Sequence, residues 1–491
     1  MKMSTRVGKH SMVYTVANVF QKGVSFLLLP LYTRCLTPDD YGALAIVTAI
    51  NSVLVVTFTL CLNAAFTRYY FEYQETPARL KEFWGTILTF ILVLSVAGGA
   101  IVLAVGQVVL KPLLGDIPFW PLAALGILGA VFQPVTLIFL NALQTLEQSK
   151  RYAFFSLAQF AVNLLLTLVL VVRWRWGAEG PLTASLVAAV VFAPIYLGLL
   201  RRELTYSLKK AHVVTGLKYA LPLVPHALAA QVQGTADRFF LNHQINMSSA
   251  GLYNIGSLVA SVIAIMTESV NRAYVPASMG ALSSRDPDKI EEVRALGMGL
   301  VAFYCLLAAG VSMFADEILA VFVSPAFRES RVVIPYLSFG MVFGGVYYLF
   351  VNVLFYDTRL TRFVVWGTAT GVASSVVLNM ILIPPFRLRG AAVASLLSQC
   401  LTTIVVGRLG RRHDPVRWDH ARLSTCIVGS FLATVWVVEG NAFVGLWGTA
   451  AKGALFLGLA ALVGKLMWGS ATQLPRWAWR HLRGAGGARG A

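Results

Sequence analysis

The 491-residue chain is 57% hydrophobic and 13% charged, with a mean hydropathy of +0.71, which excludes an ordinary soluble domain. Its formal charge of +18 invites a nucleic-acid reading, but the basic residues sit in short loops between long apolar runs, a pattern that orients membrane helices instead. Five cysteines (Cys35, Cys61, Cys305, Cys400, Cys426) lie in or beside those runs without short paired spacing, so they read as small buried hydrophobes and not as a redox or zinc motif.

A bilayer core about 30 Å thick needs about 20 apolar residues of helix, and backbone in lipid must satisfy itself as helix or closed barrel. Runs such as that from Leu88 to Leu110 are too long and too uniformly apolar for barrel strands. The expected spans are 12–33, 41–66, 83–110, 118–143, 152–172, 179–200, 216–236, 250–280, 294–315, 332–356, 363–384, 390–407, 423–438 and 442–468. The expected fold is therefore an all-α polytopic membrane protein of 14 transmembrane helices. The first run is a full span without a small-residue cleavage pattern and reads as uncleaved. Lysines and arginines at the loops divide 27 to 9 between alternate sides, which places both termini in the cytoplasm and requires an even number of spans. The heaviest loops, 201–218 and 408–422, then face the cytoplasm and attract anionic lipid. The tail 471–491 interleaves Trp477 and Trp479 with Arg476, Arg480 and Arg483, as a basic interfacial segment does.

Leu36-Thr37-Pro38-Asp39-Asp40-Tyr41-Gly42 after span 1 and Ile245-Asn246-Met247-Ser248-Ser249-Ala250-Gly251 after span 7 are both short outer turns that end in Gly and open a long helix. The offset of 209 residues makes two parallel six-span repeats, a common arrangement in transporters. The expected organisation is a lobe over 1–205, a second over 206–410, an added pair of spans over 411–470 and the basic tail. External loops are too short for a soluble catalytic domain.

Polar residues at i, i+3, i+4 and i+7 share a helix face. Span 1 carries Asn18, Gln21, Lys22 and Ser25; span 5 carries Ser156, Gln159 and Asn163; span 7 offers His226, Gln233 and Asp237; span 8 offers Glu268 and Arg272. Weaker stripes run through spans 2 and 12, and small polar residues of this kind also serve helix packing. An ionised group at mid-span costs about 2.5–3.5 kcal/mol on insertion scales, so Lys22 faces a watery cavity or an acidic partner. Glu268 and Arg272 are four apart and can pair along their own helix, or Arg272 can project into a cavity with Glu268 beside it. Arg34, Arg68 and Arg238 lie near span ends, where inward reach and interfacial anchoring are both open. Pro30, Pro222, Pro225 and Pro276 favour bends in spans 1, 7 and 8. No nucleotide-binding GxxxxGK[ST], no HExxH and no clustered Cys and His occurs, which leaves enzyme, cofactor and metal readings without a motif.

Three stretches carry a family resemblance: Asn18-Val19-Phe20-Gln21-Lys22-Gly23 with Tyr32-Thr33-Arg34-Cys35-Leu36-Thr37-Pro38-Asp39-Asp40-Tyr41-Gly42, then Asp237-Arg238-Phe239-Phe240-Leu241 through Gly251-Leu252-Tyr253-Asn254-Ile255, and Ala273-Tyr274-Val275-Pro276-Ala277. The chain resembles the Wzx-like polysaccharide or O-antigen flippases of the multidrug/oligosaccharidyl-lipid/polysaccharide exporter superfamily. The resemblance implies two six-helix lobes in a V that open alternately, in the inner membrane, without enzymatic activity. It implies a cargo of undecaprenyl-diphosphate-linked oligosaccharide, for surface polysaccharide or lipopolysaccharide assembly, with polysaccharide polymerase machinery and membrane lipids as partners. It assigns the diphosphate and acidic sugars to a basic cavity, by placement Lys22 and Arg272, then Arg34, Arg68 and Arg238. Glycan contacts fall to Asn18, Gln21, Gln159, Asn163 and His226. Apart from the resemblance, the ionisable residues Asp237 and Glu268, with His226, are the candidates for coupling to a proton or sodium ion. The competing readings are a cation-coupled drug exporter, which calls for carboxylates in the cavity, a lipid II flippase, and a membrane-embedded glycan-modifying enzyme.

Overall fold

The computed structural model describes residues 13–14, 16–17, 20–21, 23–24, 26–284, 286–356, 360, 362–411, 414–440 and 445–468. Among them the structure is helical, without a strand, as backbone in lipid requires. Helical residues from Val13 reach a turn at Leu28, just before Pro30, and continue as α1 (Leu29–Cys35). There follow α2 (Pro38–Thr59), α3 (Leu62–Tyr73), α4 (Pro77–Val109), α5 (Phe119–Thr145), α6 (Ser149–Arg173), α7 (Glu179–Leu200), α8 (Lys210–Gln244), α9 (Met247–Ser284), α10 (Pro287–Met313), α11 (Ala315–Phe322), α12 (Ile334–Tyr356), α13 (Arg362–Gly410), α14 (His420–Glu439) and α15 (Gly445–Trp468). Twelve helices among the described residues are long and apolar enough to cross a membrane: all of these except α1, α3 and α11.

Two boundaries differ from expectation. The stretch 41–66 is not one helix, because Leu60 and Cys61 take left-handed backbone, at φ +46° and +56°, and end α2. Segments 363–384 and 390–407 lie in the single run α13, broken at Arg387, which takes φ +50° two residues after Pro385. Pro222 behaves as its missing donor suggests, since a single 3-10 turn at Leu221–Leu223 interrupts α8. Pro276 lies inside α9.

The chain divides into two compact units, one of residues 1–254, 322–327 and 379–387, the other of residues 255–321, 328–378 and 388–491. In the first, α5 packs against α2, α4 and α7, and α6 packs on α7. Its core stacks Trp84 on Phe66 with ring centres 4.2 Å apart, and the Trp84 indole N–H donates to the Phe66 carbonyl at 3.0 Å. In the second, α10 is the hub, packed by α12, α14 and α15. A buried Lys452 on α15 reaches Glu317 of α11 at 3.0 Å.

The two repeat turns meet inside the first unit. Thr37 and Asp40 form a capping box at the start of α2, with Pro38 at the first helical position. The Asn246 Oδ1 accepts the Ser249 N–H at 2.8 Å, the same job at the start of α9. A Cβ on Gly42 would lie 2.0 Å from the Met247 carbonyl oxygen, and one on Gly251 would lie 1.9 Å from that of Pro38. Residues 38 and 247, like 42 and 251, are related by the repeat offset, so the contact is reciprocal and each glycine makes room for the other turn's backbone.

Candidate functional site

The first unit holds a cavity of 460 Å³ between α2, α5, α6, α7 and the helical residue Gln21. Its polar lining is amide and hydroxyl: Gln21, Asn51, Gln133, Gln159 and Asn163, with Thr48, Ser52, Thr136, Ser156 and Ser185. None of the described lining residues is ionisable. Gly126, whose Cβ would lie 2.3 Å from Val47, lets α5 approach α2 closely, while Gly129, whose Cβ would meet nothing within 4 Å, and the small Ala188 and Ala189 leave the space open.

The core fixes the polar groups. Fully buried Tyr196 stacks on Phe139 at 4.1 Å, and its hydroxyl donates to Gln159 Oε1 at 2.9 Å, while Gln159 Nε2 donates to Thr136 Oγ1 at 3.3 Å. Ser185 Oγ lies 3.5 Å from Asn163 Oδ1. The buried Asn51 Oδ1 accepts no hydrogen bond among the described residues. Each amide offers both donors and acceptors, so the wall matches neighbouring hydroxyls that also do both, and its described residues supply no charge.

A second polar cluster in the same unit surrounds Asp237 of α8. The carboxylate is buried, accepts the Asn379 side-chain N–H of α13 at 2.6 Å through Oδ1, and accepts the Tyr253 hydroxyl of α9 through Oδ2. A buried carboxylate needs such donors, since desolvation costs several kcal/mol.

The other expected site residues are placed as follows. Asn18 and Lys22 lie outside the described residues. Gln21, Gln159 and Asn163 come together in the cavity, whereas His226 is exposed on α8 and does not line it. Arg34 is exposed in the last turn of α1, and exposed Arg68 faces Glu72 at 3.8 Å. Arg238 is half-buried, with a buried Nε that has no hydrogen-bond acceptor among the described residues. In the second unit Arg272 bonds Glu268 of its own helix at 2.6 Å, with both side chains about half exposed. Asn352 donates to Asn271 at 2.9 Å one residue away. No group of three His, Cys, Asp or Glu among the described residues is arranged to hold a metal.

Sequence reasoning passed over Asn379 and Tyr253, and Asn51, Gln133 and Ser185. A lone amide in an apolar run, as in Val377-Leu378-Asn379-Met380-Ile381 or Val131-Phe132-Gln133-Pro134, was the available signal.

A family model described as "Polysaccharide biosynthesis protein" matches residues 7–280. The chain belongs to that family. Among this member's relatives, a Haemophilus influenzae protein described as "Lsg locus putative protein 1" is 26% identical over 288 residues, 57% of this chain and 68% of its own length. An "Uncharacterized membrane protein" of the same organism is 22% identical over 274 residues, 55% and 64% of the two chains. Among solved structures, lipid II flippase MurJ in an inward closed conformation superposes with a TM-score of 0.70 at 12% identity, over 94% of this chain and 98% of that one. An inward-facing multidrug resistance MATE transporter of the MOP superfamily gives 0.57 at 15%, over 79% and 93%. At such identities the likeness is one of fold, and together with the family match it bears out the resemblance to Wzx-like flippases of that superfamily.

Proposed function

We infer that this family member is a flippase that carries polyprenyl-diphosphate-linked oligosaccharide repeat units from the cytoplasmic to the outer leaflet of the inner membrane, for surface polysaccharide assembly. The observation that carries this reading is the cavity of the first unit, whose described polar lining is amide and hydroxyl, 460 Å³ and within the range of about 300–1,000 Å³ typical of small-molecule sites. It suits sugar hydroxyls. An exporter of organic cations would call for carboxylates there, and the described lining has none.

In this proposal fourteen spans form lobes 1–205 and 206–410 plus a final pair over 411–470, with both termini cytoplasmic, and the lobes open alternately. Basic residues, foremost Lys22 and Arg272 and then Arg34, Arg68 and Arg238, receive the diphosphate. Gln21, Gln159 and Asn163 hold the glycan, and Asp237 carries the coupling proton or sodium ion. Polymerase machinery takes up the product.

Binding tests the glycan assignment. Purified protein in micelles should bind a neutral lipid-linked oligosaccharide, and Gln159→Leu with Asn163→Leu should weaken it about tenfold or more. Equal affinity in the variant, or preference for an organic cation such as tetraphenylphosphonium, would contradict it.

A further inference from the structure

Residues 414–418, shortly before α14, are organised by one carboxylate. Asp414 Oδ1 accepts the Val416 N–H at 2.9 Å, and Oδ2 accepts the Trp418 indole N–H at 2.8 Å. The buried indole lies on α10 at Gly297, where a Cβ would come within 2.5 Å of the ring. The next residue inward, Arg417, takes φ +47°, a left-handed conformation that costs an ordinary residue about 1–2 kcal/mol. Such strain persists where surrounding structure enforces it, and it clusters at binding sites.

These residues border a cavity of 630 Å³ in the second unit. Arg411, Arg417 and His420 line it together with Phe350 and Trp418, and the Phe350 ring lies 6.0 Å from that of His420 and 6.2 Å from that of Trp418. Arg411 and Arg417 form no ion pair among the described residues, whereas nearby Arg422 is held by Asp419 at 3.1 Å. Asp414 is the acidic residue among the described lining, and both its oxygens already accept N–H groups. Burial raises its carboxyl above the ordinary value, against the opposing pull of those donors and His420.

We propose that this cavity binds a phosphate-bearing lipid headgroup, with Arg411 and Arg417 on the phosphate oxygens and the Phe350–Trp418 wall against the adjoining apolar part. Guanidinium forks match phosphate geometry and give up water more readily than ammonium. Basic pockets between membrane helices take anionic headgroups by this chemistry. The volume exceeds what one phosphate fills and leaves room for a diphosphate or a glycerol linkage. An anionic phospholipid and a polyprenyl diphosphate share the recognised group, and the site stands whether or not the chain is a flippase.

The test is native mass spectrometry of the full chain titrated with phosphatidylglycerol, with a polyprenyl diphosphate and with phosphatidylcholine. Arg411→Gln with Arg417→Gln should weaken the first-bound anionic lipid at least tenfold and leave phosphatidylcholine unchanged. Arg201→Gln with Arg202→Gln, which removes the same charge from the other heavy basic loop, should change nothing. Arg417→Gly relieves the left-handed strain while deleting the guanidinium, so its loss of binding with an unchanged or raised melting temperature separates recognition from folding. Whichever anionic lipid shows the larger loss identifies the source of the headgroup. Equal losses from the two arginine pairs, or none from Arg411 and Arg417, would overturn the proposal in favour of bulk charge.

Discussion

Asn379→Leu is the substitution whose cost the structure defines most sharply. It deletes a donor 2.6 Å from Asp237 Oδ1 at a fully buried position, and it puts an apolar group of similar size in its place. Hydrogen bonds to charged acceptors contribute about 1.5–3 kcal/mol, and a buried charge that loses its partner costs about 3–5 kcal/mol. The Tyr253 hydroxyl remains on Oδ2, so the expected loss is about 2–3 kcal/mol, roughly 30- to 150-fold in the folded-to-unfolded ratio. The assay is equilibrium unfolding by dodecyl sulfate in mixed micelles, run as a double-mutant cycle with Asp237→Leu. With the carboxylate gone, Asn379→Leu should cost at least about 1 kcal/mol less than in the wild type. Additivity of the two substitutions to within about 0.5 kcal/mol would refute the account of Asp237 as a carboxylate dependent on Asn379.

Gly42→Ala and Gly251→Ala each drive a methyl to about 2 Å from the opposing carbonyl, so each should destabilise by about 1–3 kcal/mol; the double variant should cost clearly less than the sum, because the first substitution already parts the turns, and thermal unfolding of all three checks it. Glu317 lies below its ordinary value of 4.5, since burial, which raises it, is outweighed by Lys452, its own backbone N–H and Thr449. A depressed carboxylate contributes stability that is present above pH 4.5 and lost as pH falls through the lower folded value, so the wild type should melt progressively earlier below about pH 4.5 and Lys452→Met should lose most of that dependence. Gly129→Ala adds a methyl that meets no atom within 4 Å, in a helix, and should raise stability by up to about 1 kcal/mol; a lower melting temperature would show that the position is not open.

Hydropathy and charge made the helical membrane class legible, because lipid permits so few backbone solutions that apolar run length alone carries the message. The two matching turns were readable in Thr37 and Asn246, and in Gly42 and Gly251, because capping and close approach each restrict residue choice to a few types. The break at Leu60 and Cys61 was not, since neither residue is a turn former and tertiary packing holds them left-handed. Gln21, Gln159 and Asn163 were found as stripes because a polar face at helical spacing is conspicuous in an apolar span. Asn379 and Tyr253 were missed because a single polar residue has no periodicity, and its partner lies on another helix 142 or 16 residues away in the chain. Sequence proximity also pointed to Glu268 beside Arg272, and the structure has that intrahelical pair.

Transport is the most direct test. Proteoliposomes loaded with a lipid-linked oligosaccharide are exposed to an external sugar-cleaving enzyme, and loss of protection is followed for wild type and for Gly129→Leu, which fills the cavity from an open position. The flippase account expects rapid loss of protection with the wild type and a rate at least tenfold lower with Gly129→Leu of equal melting temperature. Glycan that stays protected with folded wild-type protein, across neutral and acidic repeat units, would contradict it.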